Sequence, residues 1–297
     1  MSTSGEAVVI WGELLWDRFA DGDRLGGAPA NVAWHLGMAG GWARLVSRVG
    51  DDELGHRAID QLSEHVDTEL VQIDPDRATG EVTIALDAGE PRYTLHADRA
   101  WERIACSGSV AAAIAEAGVF IYGTLAQRTA EGLASWRAAV AASLSTCLRV
   151  CDLNVRRNDG NSPAIIEALD AADLIKVNDR ELAALNEWFG WADPIATLIA
   201  RDPRRRRLIA VTHGAAGSTL HSAGAPIQLR GVTSTPGGDN VGCGDAYLAI
   251  LVHGMTMGWD LEASGRAASR WAAAVAGERG ATPTFDPDRI AALLEPA

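Results

Sequence analysis

The chain has 297 residues, of which 47% are hydrophobic and 22% charged, with a formal net charge of −13. Its length suits one large domain, or one domain with a small appendage, of an ordinary soluble protein. The acidic balance argues against a nucleic-acid-binding surface and against an anionic membrane partner.

The four cysteines, Cys106, Cys147, Cys151 and Cys243, form no CxxC pair and no Cys/His cluster, so no zinc site is expected. No basic segment followed by an apolar core opens the chain, and no apolar run reaches membrane-spanning length. The expectation is a reduced, cytoplasmic protein with no membrane partner. Lys176 is the single lysine, so a phosphate-binding lysine would have to be this one.

In chain order, the first predicted strand is AVVIWG (7–12), with Asp17 after it. GGAPANVAWHLG (26–37) then reads as a Gly-Gly turn entering a helix, with Asn31 on its first turns. Asn31 offers both donor and acceptor, which suits a neutral polyol; Pro29 near the start is also ordinary helix initiation. ARLVSRV (43–49) is the next strand, and a helix follows within DELGHRAIDQLSEHV. TGEVTIALDAGEPRYTLHAD (79–98) alternates apolar and polar residues about a DAGEP turn, a hairpin signal in an otherwise buried pattern. Such a hairpin is expected to form a lid, or else a decorative edge. VFIYGT (119–124), LRVCDLN (148–154), LIKVN (174–178) and RLIAVTHG (207–214) are further strands, separated by helical segments such as EGLASWRAAVAASL and SPAIIEALDAA. The run from Asp202 to Arg207 is expected to be a solvated connection. This alternation predicts an α/β fold: a three-layer α/β/α arrangement about a mostly parallel sheet, with a small β-sheet lid.

Polar residues recur just after these strands: Asp17, then Asn154 and Arg156, then Asn178 and Glu181, then Thr212 and Gly214. In open parallel sheets ligands sit outside the carboxyl ends of the strands. Taken singly, Asn154 or Asn178 would be read as a helix cap; jointly they point into one crevice. GGDNVGCGDAYLA (237–249) adds a glycine turn entering an apolar helix. Its amides and the helix N-terminus make a pocket for an anion, most naturally phosphate. A carboxylate at Asp245 would repel that phosphate. It makes sense as a base for an attacking hydroxyl, with a plain helix cap as the equal alternative.

These motifs, in this order along nearly the whole chain, resemble the ribokinase-like sugar kinases, also called the phosphofructokinase B family. GGAPANVAWHLG is similar to its N-terminal signature, DNVGCGDAYLA to its C-terminal one, NDRE to its Asn-x-x-Glu motif, and VTHGAAGS to its nucleotide stretch. The resemblance implies a single ribokinase-like domain over 1–297, with a discontinuous β lid near 13–30 and 78–103. It implies Asp245 as catalytic base and the amides of Gly242, Cys243 and Gly244 as anion hole. Asp17, Gly27 and Asn31 would hold sugar hydroxyls, with Asn154 and Arg156 near the substrate. Asn178 and Glu181 would organise Mg²⁺ through water, and Thr212, Gly214 and Gly217 would line the ATP site. Asp239 would lie near the nucleotide and near K⁺ as a further cation, and lid pairing allows a homodimer. GELLWDRF, GGAPAN, DLNVR and KVNDREL resemble the fructokinase branch, implying transfer from ATP to a primary hydroxyl of a ketohexose, D-fructose first. Cys243, Asn240 and Ser269 depart from the family pattern. Lid residues such as His96 and Trp101 would shape the pocket. The alternatives are a kinase for 2-keto-3-deoxygluconate, ribose or a nucleoside, and a non-catalytic sugar or nucleotide sensor on the same fold. Neither GxGxxG after the first strand nor GxxxxGK[ST] occurs, which disfavours dinucleotide and P-loop enzymes.

Overall fold

A computed structural model describes residues 6–19, 21–87, 90–155, 162–202 and 207–295, with the side chains of 84–93 left out. The strands are β1 (Val8–Trp11), β2 (Leu15–Phe19), β3 (Gly22–Gly26), β4 (Ala43–Gly50), β5 (Val71–Asp74), β6 (Gly80–Asp87), β7 (Glu90–Leu95), β8 (Val119–Tyr122), β9 (Leu148–Asp152), β10 (Leu174–Asn178), β11 (Leu208–Thr212), β12 (Gly217–His221) and β13 (Ile227–Arg230). The helices are α1 (Ala28–Met38), α2 (Glu53–Leu62), α3 (Gly108–Ala115), α4 (Ala130–Ala142), α5 (Pro163–Ala171), α6 (Asp179–Phe189), α7 (Pro194–Ala200), α8 (Cys243–Thr256), α9 (Leu261–Ala276) and α10 (Pro287–Leu294).

Among the described residues the main sheet has the order β13-β12-β11-β10-β9-β8-β1-β4-β5. Every pairing from β5 to β11 is parallel, and β12 and β13 close one edge antiparallel. Successive strand residues point to opposite faces, and each face has its own core. Val8, Ile10, Leu45 and Ile121 pack with α1, α8 and α9. Val9, Trp11, Val46 and Tyr122 pack with residues of α3, α4 and α5. Burial on both faces explains why these strands read as unbroken apolar runs. The second sheet is small, ordered β3-β2-β6-β7, and combines the segment after β1 with the hairpin.

One local feature separates the helices. Each of α2, α3, α4, α5, α6, α7, α9 and α10 starts behind a side chain that accepts from its first-turn amides, such as Asp52, Thr129 or Asp260. Helices α1 and α8 start at Gly27 and Gly242 with no side-chain cap. Their first amides therefore keep donors for something else.

The run expected to be solvated is not solvated at its ends. Arg207 is 3% exposed and Asp202 8%; residues 203–206 lie outside the described residues.

Candidate active site

Gly242 starts α8 in the left-handed region, φ 75°, which favours glycine. A Cβ there would also lie 2.6 Å from the Ala281 side chain. The turn sets the amides of residues 243–245 at the open, electropositive end of α8. Asp245 stands on that first turn, partly exposed. Its Oδ2 accepts a 2.8 Å hydrogen bond from Asn31 Nδ2 on α1, so the two uncapped helices meet at this carboxylate. Asn31 is 5% exposed, and its Oδ1 has no partner in the protein.

Parallel register places Lys176 on β10 opposite Asp152 on β9. Their side chains are buried, with Nζ 2.9 and 3.2 Å from the two carboxylate oxygens. The single lysine is thus committed to Asp152. Burial first, then the Asp152 charge, push the Asp245 carboxyl well above the usual range; Lys176 and the Asn31 hydrogen bond oppose this. Burial likewise pushes Glu181 up to about 7, against the pull of Lys176. A carboxylate poised in this way suits proton transfer near neutrality.

On the small-sheet side, Asp17 lies on β2 with its carboxylate in the space above Gly26, where a Cβ would be 2.5 Å from Oδ2. Its charge adds to the upward push on the Asp245 carboxyl. Gly27 (φ 102°) lets the chain pass against the Glu13 carbonyl. Asn154 follows β9, exposed and at φ 39°; with Glu13 and Asp152 it lines a small hollow beside the crevice. Arg156 lies outside the described residues.

On the other side, Thr212, Gly214, Gly217, Cys243 and Gly244 line one cleft of about 610 Å³, closed by α9 through Ser269, Ala272 and Ala276. This volume fits a nucleotide-sized ligand. The Ser269 hydroxyl donates to Gly265 O within its own helix, and Asn240 also lines the cleft, at φ 59°. Asp239 Oδ1 accepts from Val241 N and Oδ2 from Gly280 N, tying the glycine turn to the 278–281 loop. The neutral His35 ring holds the same loop: Nε2–H donates to Ala281 O while Nδ1 accepts from Trp271. Burial lowers its pKa to about 4.

Asn178 Oδ1 accepts from the amides of Arg180 and Glu181, and Glu181 Oε2 accepts from Asn178 N. This capping box fixes both side chains at the end of β10. Among the described residues no group of three or more His, Cys, Asp or Glu could hold a metal ion. One half-used carboxylate and an amide suit a hydrated ion held through water, the way Mg²⁺ is held when phosphates supply inner ligands.

Sequence reasoning found the glycine turn and the strand-end polar groups. It missed Asp152 and the 278–281 loop. The sole lysine was the available signal for the first, since a lone ammonium in a strand needs a partner. Trp101 is a correction: it is fully buried beneath Gly80 and cannot shape a pocket. His96 bonds Thr83 on the small sheet.

A model described as pfkB family carbohydrate kinase matches residues 20–288. The chain is 30% identical over 269 residues to a fructokinase of Klebsiella pneumoniae (83% of this chain, 84% of that one). It is 28% identical over 267 residues to Fructokinase-2 of Oryza sativa subsp. japonica (82% and 78%). In fold it is similar to fructokinase with bound ATP from Xylella fastidiosa, at a TM-score of 0.86, 20% identity and 97% and 98% coverage. Fructokinase from Vibrio cholerae O395, in a fructose-, ADP- and calcium-bound form, matches at 0.80, 21% identity and 98% and 100% coverage. With the uncapped α8 turn, its carboxylate and the adjoining cleft, these likenesses show that the chain belongs to the pfkB family of carbohydrate kinases.

Proposed function

We propose that the protein transfers the γ-phosphoryl group of ATP to a primary hydroxyl of a neutral ketohexose, D-fructose giving fructose 6-phosphate. The observation that carries this is the position of Asp245. It stands between the Asn31 and Asp17 crevice under the small sheet and the cleft lined by Cys243 and Gly244.

In this reading the sugar lies between Asp17, Gly27 and Asn31, where Asn31 Oδ1 needs a donor that a hydroxyl supplies. Asp245 takes the hydroxyl proton as its oxygen bonds to the γ-phosphorus and the bond to the ADP oxygen breaks. Such a base contributes about 10²–10⁴-fold in rate. The amides of Gly242, Cys243 and Gly244 hold the negative charge of the transferring group. The nucleotide lies along Thr212, Gly214 and Gly217. Asn178 and Glu181 would hold Mg²⁺ through water, and the ion would supply charge neutralisation. The small sheet acts as the lid, excluding water that would compete as nucleophile. K⁺ beside Asp239 would use lone pairs that the two amides leave free.

Among the described residues the acid lining favours a neutral substrate over 2-keto-3-deoxygluconate or a sugar phosphate. Glu13 and Asp152 line the small hollow beside the crevice, and the Asp17 and Asp152 charges both act on Asp245. Lys176 is spent on Asp152, and Arg24 bonds Asp21 and stacks on Phe19. The test is an ADP-release screen over sugars, sugar acids and nucleosides with MgATP, with and without K⁺. Turnover on fructose above the others is expected. Preference for a sugar acid would overturn the substrate assignment, and silence across the panel would overturn catalysis.

A further inference from the structure

The mechanism uses Asp245 but leaves the pair behind it without a task. Lys176 is the chain's single lysine among 26 basic residues. Its ammonium is wedged between two elements. On one side it grips both oxygens of Asp152. On the other it lies under the first turn of α8, where a Cβ on Gly244 would be 2.8 Å from Nζ. A compact ammonium therefore lies against the turn itself, where a planar guanidinium would be bulkier. The chain's one lysine thus stands directly beneath the glycine turn.

Among the described residues, groups that act on Asp245 come from four elements: Asn31 from α1, Asp17 from β2, Asp152 from β9 and Lys176 from β10. Glu181 on α6 and Cys243 on the same helix also interact with it. In this set Lys176 is the one cation. The pair itself is balanced, one ammonium to one carboxylate, but Glu181 and Asp245 also act on that ammonium, so the group as a whole holds more carboxylate than cation.

We propose that Lys176 and Asp152 are positioning residues for Asp245: the ammonium, held in place by Asp152, is the counter-charge that keeps the Asp245 carboxylate ionised and supports the Gly244 turn beneath the travelling phosphoryl group. The assignment rests on the kinase reading of Asp245, so its test includes a readout independent of turnover.

Protein labelled with ¹³C-carboxyl aspartate is titrated by NMR without metal or nucleotide, the Asp245 signal being identified by its loss in Asp245→Asn. The pH profile of kcat/KM is measured in parallel. Lys176→Met should raise the Asp245 midpoint by about one pH unit or more. Its activity should fall steeply at acid pH and recover towards alkaline pH. Asp152→Asn should move the midpoint the opposite way, because a negative neighbour is lost. The double variant should lie between the two single variants.

An unmoved midpoint in Lys176→Met, with activity lost uniformly across pH, overturns the proposal. So does a raised KM for ATP with an unmoved midpoint, which would make Lys176 a phosphate contact. If Lys176→Met does not fold, Lys176→Gln takes its place, a polar side chain of similar length without the charge: an upward shift supports the counter-charge, and no shift or a downward one overturns it. Midpoints that move as expected in a protein that phosphorylates nothing would uphold the charge assignment and sink the kinase reading.

Discussion

Two buried cations stand at the neighbouring strands β10 and β11, Arg207 at the amino end of β11 and Lys176 towards the carboxyl end of β10, and their surroundings differ in kind. Arg207, just before β11, donates to the carbonyls of Ala172, Leu198 and Asp170 at the ends of α5 and α7, while Asp202 accepts from its amide. Carbonyls at helix C-termini lack intrahelical donors, so one guanidinium completes two helices. Lys176, near the carboxyl end of β10, meets carboxylates: Asp152 directly, with Glu181 and Asp245 close enough to act on it. The first site is finished by its own polypeptide. The second holds more negative charge than its cation neutralises, and two of its carboxyls are pushed towards neutrality. Surplus of this kind weakens a fold unless chemistry requires it.

The largest effect expected is at the second site. Asp245→Asn should lower kcat by about 10²–10⁴-fold or more while sugar binding by calorimetry persists; near-normal turnover would erase the contrast. Gly244→Ala pushes a methyl against Lys176 and moves the amide proposed to hold the phosphoryl group. It should lower kcat by about 10²–10³-fold, the range seen for one lost oxyanion donor, with the melting temperature as control. At the first site Arg207→Met should act on stability alone. It leaves helix-end carbonyls buried without donors and should cost about 3 kcal/mol in denaturant unfolding, with kcat of the folded fraction retained.

The smallest effect carries the sharpest sign. In the folded protein Asp245 titrates above its unfolded value, so between the two values the folded state binds the extra proton and stability falls as pH rises. Asp245→Asn should therefore melt a few degrees higher than the parent at pH 8 and no higher at pH 4. A gain that persists equally at pH 4 would mean that the carboxylate charge is not the cause. His35 has the opposite sign: held neutral with its pKa lowered to about 4, it contributes stability that is lost as pH falls through the range below its unfolded value.

Much of this contrast could be read from the sequence and part could not. Val8–Trp11 and Leu208–Thr212 announce themselves as strands because burial on both faces leaves no polar position to break the run. Gly242 and Asp245 were visible because a glycine turn before an apolar helix has few other uses. The Lys176–Asp152 contact depends on which residue of β9 faces which of β10, and no local pattern encodes that register. Arg207 looked like part of a surface charge run because its acceptors are backbone carbonyls, which any sequence possesses. The missing caps of α1 and α8 stand in plain letters as Gly27 and Gly242, yet they gain meaning only against the eight helices that are capped among the described residues.

The solitary ε-amine has a practical consequence. Apart from the chain's α-amino group, amine-directed acylating reagents have one target, and Lys176 is only 5% exposed behind Asp152. Acylation there would report the fraction of time that the floor under Gly244 opens to solvent, an intrinsic clock for breathing at the glycine turn that needs no engineered label. A ligand that seals the cleft should slow that clock, whatever its chemistry turns out to be.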